Sequence, residues 1–265
     1  MSGFARARAG VRGACEDPAL SLPERPPDFK GGVMTAQYSY HDFLAELNRS
    51  NLESQTVQYM RRGKPWQADL LLVRLNGKLG VVKDYSKRPW LYRIAVGMVS
   101  TWRERIIYQK LQGLPGVPRL FGHLDRYALV VEYIPGKDAS QVKPGLVGPE
   151  FFNKLQKVVD RIHERGIVLC DLRHTANIIV SDKGEPYLVD FCTAFGRGSW
   201  WNIFKKWLYH LFHQDDLLGI IKLKKHLAPD LLSDEERQRL ERGVFLQGPA
   251  IRLRNFSRRW LKKLV

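Results

Sequence analysis

A β-rich apolar run, LLLVRL at residues 70–75, is followed by Asn76-Gly77 and then by KLGVVKDY. Two such runs joined by Asn-Gly predict a hairpin with a type I′ turn. Centring the turn on that dipeptide sets Leu70 opposite Lys83. From about Pro89 to Gln112 the spacing becomes helical, with Ile107 and Leu111 one turn apart, until Pro115 and Pro118 break it. PRLFGH and YALVVEYI read as two more strands, closed by Pro135-Gly136. Beyond Gly148, PEFFNKLQKVVDRIHERG puts Phe152, Leu155, Val158, Val159 and Ile162 on one helical face and Gly166 at the C′ position. WWNIFKKWLYHLF, DDLLGIIKLKKHL and SDEERQRLERG predict three further helices. Residues 1–33 are rich in Arg, Gly and Pro without periodicity and read as a disordered tail; MTAQYSYHDFLAEL, from Met34, has the first folded character. The expected organisation is thus a tail (1–33), a small strand-rich lobe (34–136) and a larger, mainly helical lobe (137–265).

The segment GIVLCDLRHTANIIVSDKGEPYLVDF, residues 166–191, sets polar groups against apolar runs. Aspartate is costly to bury and weakens strands, so its placement asks for a reason. NIIVSDKGEPYLVDF reads as a second hairpin. With the turn centred between Lys183 and Gly184, Asn177 faces Asp190, about 5 Å apart at Cβ. An amide oxygen beside a carboxylate is a hard-oxygen pair of the kind Mg²⁺ uses alongside water and phosphate. Asp171 lies just upstream on a loop, where a carboxylate can accept the proton of an attacking hydroxyl. Structural readings stand beside these: Asp171 as a turn cap, Asn177 as a strand start, Asp190 as the partner of a buried Arg.

Charge sharpens the picture. The chain has 265 residues and a formal net charge of +16, which implies an anionic partner. From Gly196 onward 15 Lys/Arg stand against 7 Asp/Glu, a net of +8. In SWWNIFKKWLYHLF, Trp200, Trp201, Phe204, Trp207, Leu208, Leu211 and Phe212 accompany Lys205 and Lys206. That mixture suits an anionic membrane surface and equally an ordinary helical core with a solvated face. No recognised nucleic-acid motif accompanies the charge. Three cysteines, Cys15, Cys170 and Cys192, offer neither a disulfide framework nor metal spacing, so a reducing cytoplasm is expected. Cys170 and Cys192 read as small core hydrophobes. The first residues lack the apolar region of a secretory signal, and no stretch reaches transmembrane length.

Together these residues resemble the protein-kinase-like fold, an α+β architecture with a small antiparallel-sheet N-lobe and a larger, mainly helical C-lobe. Within it they look closest to the bacterial lipopolysaccharide-core kinases (the heptose and Kdo kinases), with RIO-type and aminoglycoside-type kinases more distant. The resemblance covers about Leu70 to Leu232. It implies Asp171, in a D-L-x-x-x-N-like loop, as catalytic base, and Asn177 and Asp190 (of DFC, for D-F-G) as Mg²⁺ ligands. It implies Lys83 of VVK on the ATP phosphates, Glu104 positioning Lys83, and the backbone of Glu132, Tyr133 and Ile134 against adenine. Thr101-Trp-Arg-Glu104 also fits a capping box, which would make Glu104 structural.

The pattern departs from the family at four places. The glycine loop is reduced to Gly63 within RRGKPWQ, among Arg61, Arg62 and Lys64. Leu169 stands where many relatives carry His. Asp171 and Asn177 are six positions apart rather than five. Cys192 replaces the D-F-G glycine. The expected protein is a monomeric, cytoplasmic, ATP- and Mg²⁺-dependent kinase, peripheral on the inner membrane, with a sugar or glycolipid hydroxyl as acceptor. A protein serine/threonine kinase and a catalytically silent membrane scaffold are the alternatives.

Overall fold

The computed structural model describes residues 44, 46–197 and 203–246. The expected tail, residues 34–43 and 45 of the segment from Met34, Trp200, Trp201, the side chains of Phe204 and Lys205, and the basic run at 252–264 lie outside the described residues.

Strands β1 (Thr56–Arg61), β2 (Asp69–Leu75), β3 (Lys78–Asp84), β4 (Leu120–Asp125) and β5 (Ala128–Glu132) form one antiparallel sheet in the order β1-β2-β3-β5-β4. The first hairpin keeps the expected register: Leu70 pairs with Lys83, and Asn76 and Gly77 both take positive φ, 48° and 76°, as a type I′ turn requires. Alternation along β5 serves two cores. Ala128 and Val130 join Leu71, Val73, Leu75 and Val82 on one face, with Leu47 and Leu52 beneath. Leu129 points the other way, into the core shared with the helices.

The expected helix between the sheet's halves is one continuous run, α1. It comprises Trp90–Tyr92, a π-helical stretch Arg93–Met98, and Val99–Leu111. Ile107, Tyr108 and Leu111 pack it into the larger core. Helix α2 (Pro149–Glu164) opens with Pro149 at its first turn and buries Phe152, Leu155, Val158, Val159 and Ile162, the predicted face. Each such side chain contributes roughly 1.5–3 kcal/mol on burial. The two helices expected at residues 200–227 are one, α3 (Ile203–Leu227). Asp215 and Asp216 read as the start of a new helix, yet both are buried inside this one. Helix α4 (Asp234–Leu246) begins with a capping box: Ser233 Oγ accepts from the Glu236 amide (3.2 Å), and Glu236 Oε2 accepts from the Ser233 amide (2.9 Å).

Strands β6 (Gly136–Asp138), β8 (Ile178–Ser181) and β9 (Pro186–Leu188) form a three-stranded sheet; β7 (Ile167–Val168) pairs with β10 (Phe195–Gly196). Here the structure corrects the sequence reading. Ile178 pairs with Leu188 and Ile179 with Tyr187, one residue away from the alignment that faces Asn177 with Asp190. The loop holds three residues rather than an even number. Gly184 sits at φ 74°, and the Ser181 amide donates to the Glu185 carbonyl at 2.9 Å. Asn177 is therefore level with Val189, whose amide donates to the Asn177 carbonyl at 2.9 Å. Asp190 falls beyond the ladder, at φ 65°.

Candidate active site

Strand β3 holds Lys83 between Leu70 and Leu129 in mid-sheet and turns its amine toward α1. Nζ lies 3.1 and 2.9 Å from the two Glu104 oxygens and 2.7 Å from Asp190 Oδ1. Glu104 is 1% exposed, and its Oε1 also accepts the Phe191 amide at 3.2 Å. Because α1 begins at Trp90, Thr101 is well inside it and the capping-box reading of Glu104 is set aside. Burial opposes the charge on Lys83, but Asp190 and Glu104 outweigh it and raise its pKa well above 10.5. Burial likewise pushes Asp190 up, and Lys83 overrides it, holding this carboxyl far below the usual range. For Glu104 burial prevails over Lys83 and the shift is upward. Taking one partner out of such a buried set costs about 3–5 kcal/mol.

Asp171, Asn177 and Asp190 line one cleft together with Leu169, Leu172, Leu188, Val189 and Phe191. So the three polar groups do converge, although not as a cross-strand pair. The sixth step between Asp171 and Asn177 is absorbed locally. The His174 amide donates to the Asp171 carbonyl (3.1 Å), a 3₁₀ turn follows over Thr175–Asn177, and Asn177 Nδ2 returns to the same carbonyl at 3.2 Å. The amide group of Asn177 is thus oriented by backbone, with its Oδ1 as the acceptor. His174 Nε2 stands 3.7 Å from Asp171 Oδ1. A larger hollow elsewhere, bordered by His163, His210 and His213, contains none of these residues.

The residues of VVEYIPG lie at the end of β5. The Glu132 amide is engaged by the Arg119 carbonyl at 2.8 Å, and its Oε2 accepts the Arg119 amide at 3.0 Å. Tyr133 is half-buried and Ile134 buried. The β1–β2 loop is tied down by Asp69, at the start of β2, and by Arg88, beyond β3. Asp69 Oδ1 accepts the Gly63 amide (2.7 Å) and pairs with Arg88, which donates to the Gly63 carbonyl (2.6 Å). Arg61, Arg62 and Lys64 are exposed, and Arg62 rests on the Tyr59 ring.

Sequence reasoning missed the group that holds the Asp171 loop. Asp216 of α3, 1% exposed, accepts the Leu169 amide (2.8 Å), the Cys170 amide (3.0 Å) and His163 Nε2 (3.0 Å). Beside it, Asp215 pairs with Arg173 at 2.8 Å. This carboxylate supports the loop's backbone at the point where Leu169 brings no hydrogen-bonding side chain. The available signal was an Asp-Asp pair inside the apolar stretch LFHQDDLLGII.

No family model matches the chain, and no curated protein matches it. Among solved structures it is similar to the crystal structure of the Rio2 kinase-ADP/Mg²⁺-phosphoaspartate complex from Chaetomium thermophilum. The TM-score is 0.51 at 15% identity, over 72% of this chain and 63% of that one. The fold is protein-kinase-like. A second crystal structure of the Rio2 kinase from Chaetomium thermophilum covers 78% of each chain at 15% identity, with a TM-score of 0.48. At this identity the likeness concerns architecture. A five-stranded sheet and a helix bearing Glu104 hold Lys83 beside the cleft that Asp171, Asn177 and Asp190 line.

Proposed function

We propose that the protein is an ATP- and Mg²⁺-dependent phosphotransferase whose acceptor is a hydroxyl group. One observation supports this above the rest: Lys83, Glu104 and Asp190 form a closed ion cluster at the edge of a cleft that also holds Asp171 and Asn177. Phosphoryl transfer asks a protein for positioning and charge neutralisation rather than covalent chemistry. A neighbour of the same fold is a complex with ADP and Mg²⁺, which supports the same cofactors here.

The donor set fits magnesium. Among the described residues no cluster of three or more His, Cys, Asp and Glu could hold a metal by itself. Mg²⁺ needs only one or two protein oxygens, with phosphate and water completing its shell. Asp190, kept ionised by Lys83, and Asn177 Oδ1 would hold it. When bound, the metal supplies neutralisation of phosphate charge. Lys83 binds phosphate oxygens, Glu104 keeps its amine aimed, and Asp171 accepts the hydroxyl proton of the acceptor. The backbone of Glu132, Tyr133 and Ile134 borders adenine; because the Glu132 amide is already engaged, its carbonyl and the two following residues are the groups on offer.

For the acceptor, we read a sugar or glycolipid of the lipopolysaccharide-core type at the cytoplasmic face of the membrane. The short DFC segment leads within a few residues into β10 and then α3, and so leaves little extended platform for a peptide. A membrane scaffold without turnover is the second reading. It is favoured by the Gly63 amide being taken up by Asp69, which leaves this loop without that phosphate donor.

Thermal shift with ATP and Mg²⁺ tests the enzyme reading, since ligand at 100 times its dissociation constant stabilises by about 2.7 kcal/mol. Slow ATP hydrolysis is expected in wild type and absent in Asp190→Asn and Lys83→Met, with both variants folded. Nucleotide binding with no hydrolysis in wild type would leave the scaffold. Phosphate transfer into membrane extracts identifies the acceptor class.

A further inference from the structure

Helix α1 bears an apolar stripe that none of the described residues covers. Trp90 is 68% exposed and Trp102 61%, with Leu91, Ile94 and Val99 exposed between them. Single exposed apolar side chains are ordinary on a protein surface; five large ones along one helical run are not. They share a face. Trp90 and Ile94 are four apart, Ile94 and Val99 five apart across the π-helical stretch, and Val99 and Trp102 three apart. Thr101 and Glu104 lie on the opposite side, buried, so the stripe faces away from Lys83. At about 1.5 Å per residue it runs for about 18 Å, with an indole at each end.

The surrounding charge has one sign. Between Ser86 and Gln112 the cations are Lys87, Arg88, Arg93, Arg103, Arg105 and Lys110. Arg88 is paired with Asp69, Arg93 donates to the Ser86 carbonyl and Arg103 to the Ala194 carbonyl, both at 3.4 Å, while Lys87 and Arg105 reach the Tyr59 hydroxyl (3.3 Å) and His123 Nε2 (3.4 Å); none of these last four meets a carboxylate in those contacts. The one acid in that interval, Glu104, is 1% exposed and bound to Lys83. The exposed face of this run therefore carries no carboxylate. A second copy of the chain would bring the same cations and the same +16 overall, so like charge opposes pairing through this face. An anionic lipid surface meets both halves of the pattern: indoles and aliphatic side chains settle at the headgroup boundary, and lysines and arginines meet the lipid phosphates.

We propose that α1 docks flat on an anionic bilayer through Trp90, Leu91, Ile94, Val99 and Trp102. This deepens the reading of a kinase that works on a membrane-embedded acceptor, and rests on it for why a bilayer is the relevant surface. The site differs from the aromatic segment at 200–212. It also places the lipid contact on the helix whose other face holds Lys83 in position.

The test is co-sedimentation of the full chain with vesicles of phosphatidylcholine, with and without phosphatidylglycerol. Wild type pellets with the anionic vesicles and not with the neutral ones. The variant Trp90→Ser/Leu91→Ser/Trp102→Ser, with an unchanged melting temperature as its folding control, loses at least about tenfold in affinity, because only exposed side chains change. Lys87→Glu and Arg105→Glu each weaken binding by about fivefold or more. Lys83→Met pellets like wild type. Loss of turnover in wild type with vesicle binding intact would sink the kinase reading and leave this one standing. Three outcomes overturn the proposal: a triple variant that pellets like wild type, which assigns binding to another segment; a wild type indifferent to lipid charge; or stripe-dependent dimers in analytical sedimentation.

Discussion

Replacing Asp216 by alanine probes the support of the Asp171 loop without touching the cleft. The carboxylate accepts three buried donors, from Leu169, Cys170 and His163. A buried donor left without a partner costs about 1–3 kcal/mol, so the gross loss is roughly 3–9 kcal/mol. Removing the carboxylate also relieves the cost of holding a charge in the interior, several kcal/mol in its own right. The expected net is about 3–5 kcal/mol, the range for breaking a buried charged set. In a domain of this size each kcal/mol moves the melting temperature by roughly 2–4 °C, so a fall of about 6–20 °C is expected. Asp216→Asn keeps the volume and one acceptor oxygen but faces its amide toward a donor, and should fall between wild type and alanine. Calorimetry gives the shift, and ATP turnover, measured well below the lowered melting temperature, gives the effect on the loop. A displacement of about 1 Å in the catalytic backbone costs about 100-fold in rate. If Asp216→Asn melts within about 2 °C of wild type and turns over normally, the carboxylate is not what holds this loop.

Glu104→Gln leaves Lys83 with Asp190 alone; we expect a loss of about 2–3 kcal/mol in urea denaturation and turnover reduced about 10- to 100-fold. Acid titration separates Asp190 from its neighbours. Its folded pKa lies far below the ordinary 3.8, so its contribution is complete above that value and is lost as pH falls below it. The stability gap between wild type and Asp190→Asn should therefore close on acidification, and a gap constant down to the acid limit of folding would contradict the ion pair. Burial also pushes the Cys170 and Cys192 thiols well above their ordinary 9.0. In a Cys15→Ser background, native labelling with a disulfide reagent at neutral pH should run at least about 100-fold slower than in denaturant. Asp69→Ala releases the Gly63 amide and the Arg88 partner; limited proteolysis should cut near residues 61–67 in this variant before wild type is touched.

The parts of the fold that could be read from sequence are those fixed by local chemistry. Asn76-Gly77 admits one tight turn, so the position of Lys83 opposite Leu70 followed from two residues. The second hairpin failed because Asp182-Lys183-Gly184-Glu185 accommodates loops of different length, and Gly184 in the left-handed region selects three residues. Periodicity found the buried face of α2 because its outer face is polar. It could not show that α3 is one helix, since Asp215 and Asp216 have the composition of a helix start and only long-range partners, Arg173 and the Leu169 and Cys170 amides, explain them. The same holds for the site. Lys83, Glu104, Asp171, Asn177 and Asp190 could be nominated from residue type and order, whereas Asp216 and the Asp69–Arg88 tie depend on contacts between distant segments.

The π-helical stretch at Arg93–Met98 has a consequence for how α1 tolerates change. Wider turns accommodate an additional residue without lengthening the axis in step, so the parts of the helix before and after it are out of phase with a uniform α-helix. Deleting one residue between 93 and 98 would let the helix wind regularly: four α-helical steps of about 100° turn the chain about as far as five steps of the wider coil, so the parts on either side would keep their relative orientation. Glu104 would still face Lys83 with Trp90 and Leu91 turned outward. A deletion there is absorbed by the coil, whereas one in the regular turns between Val99 and Glu104 would swing that carboxylate by about 100° away from Lys83.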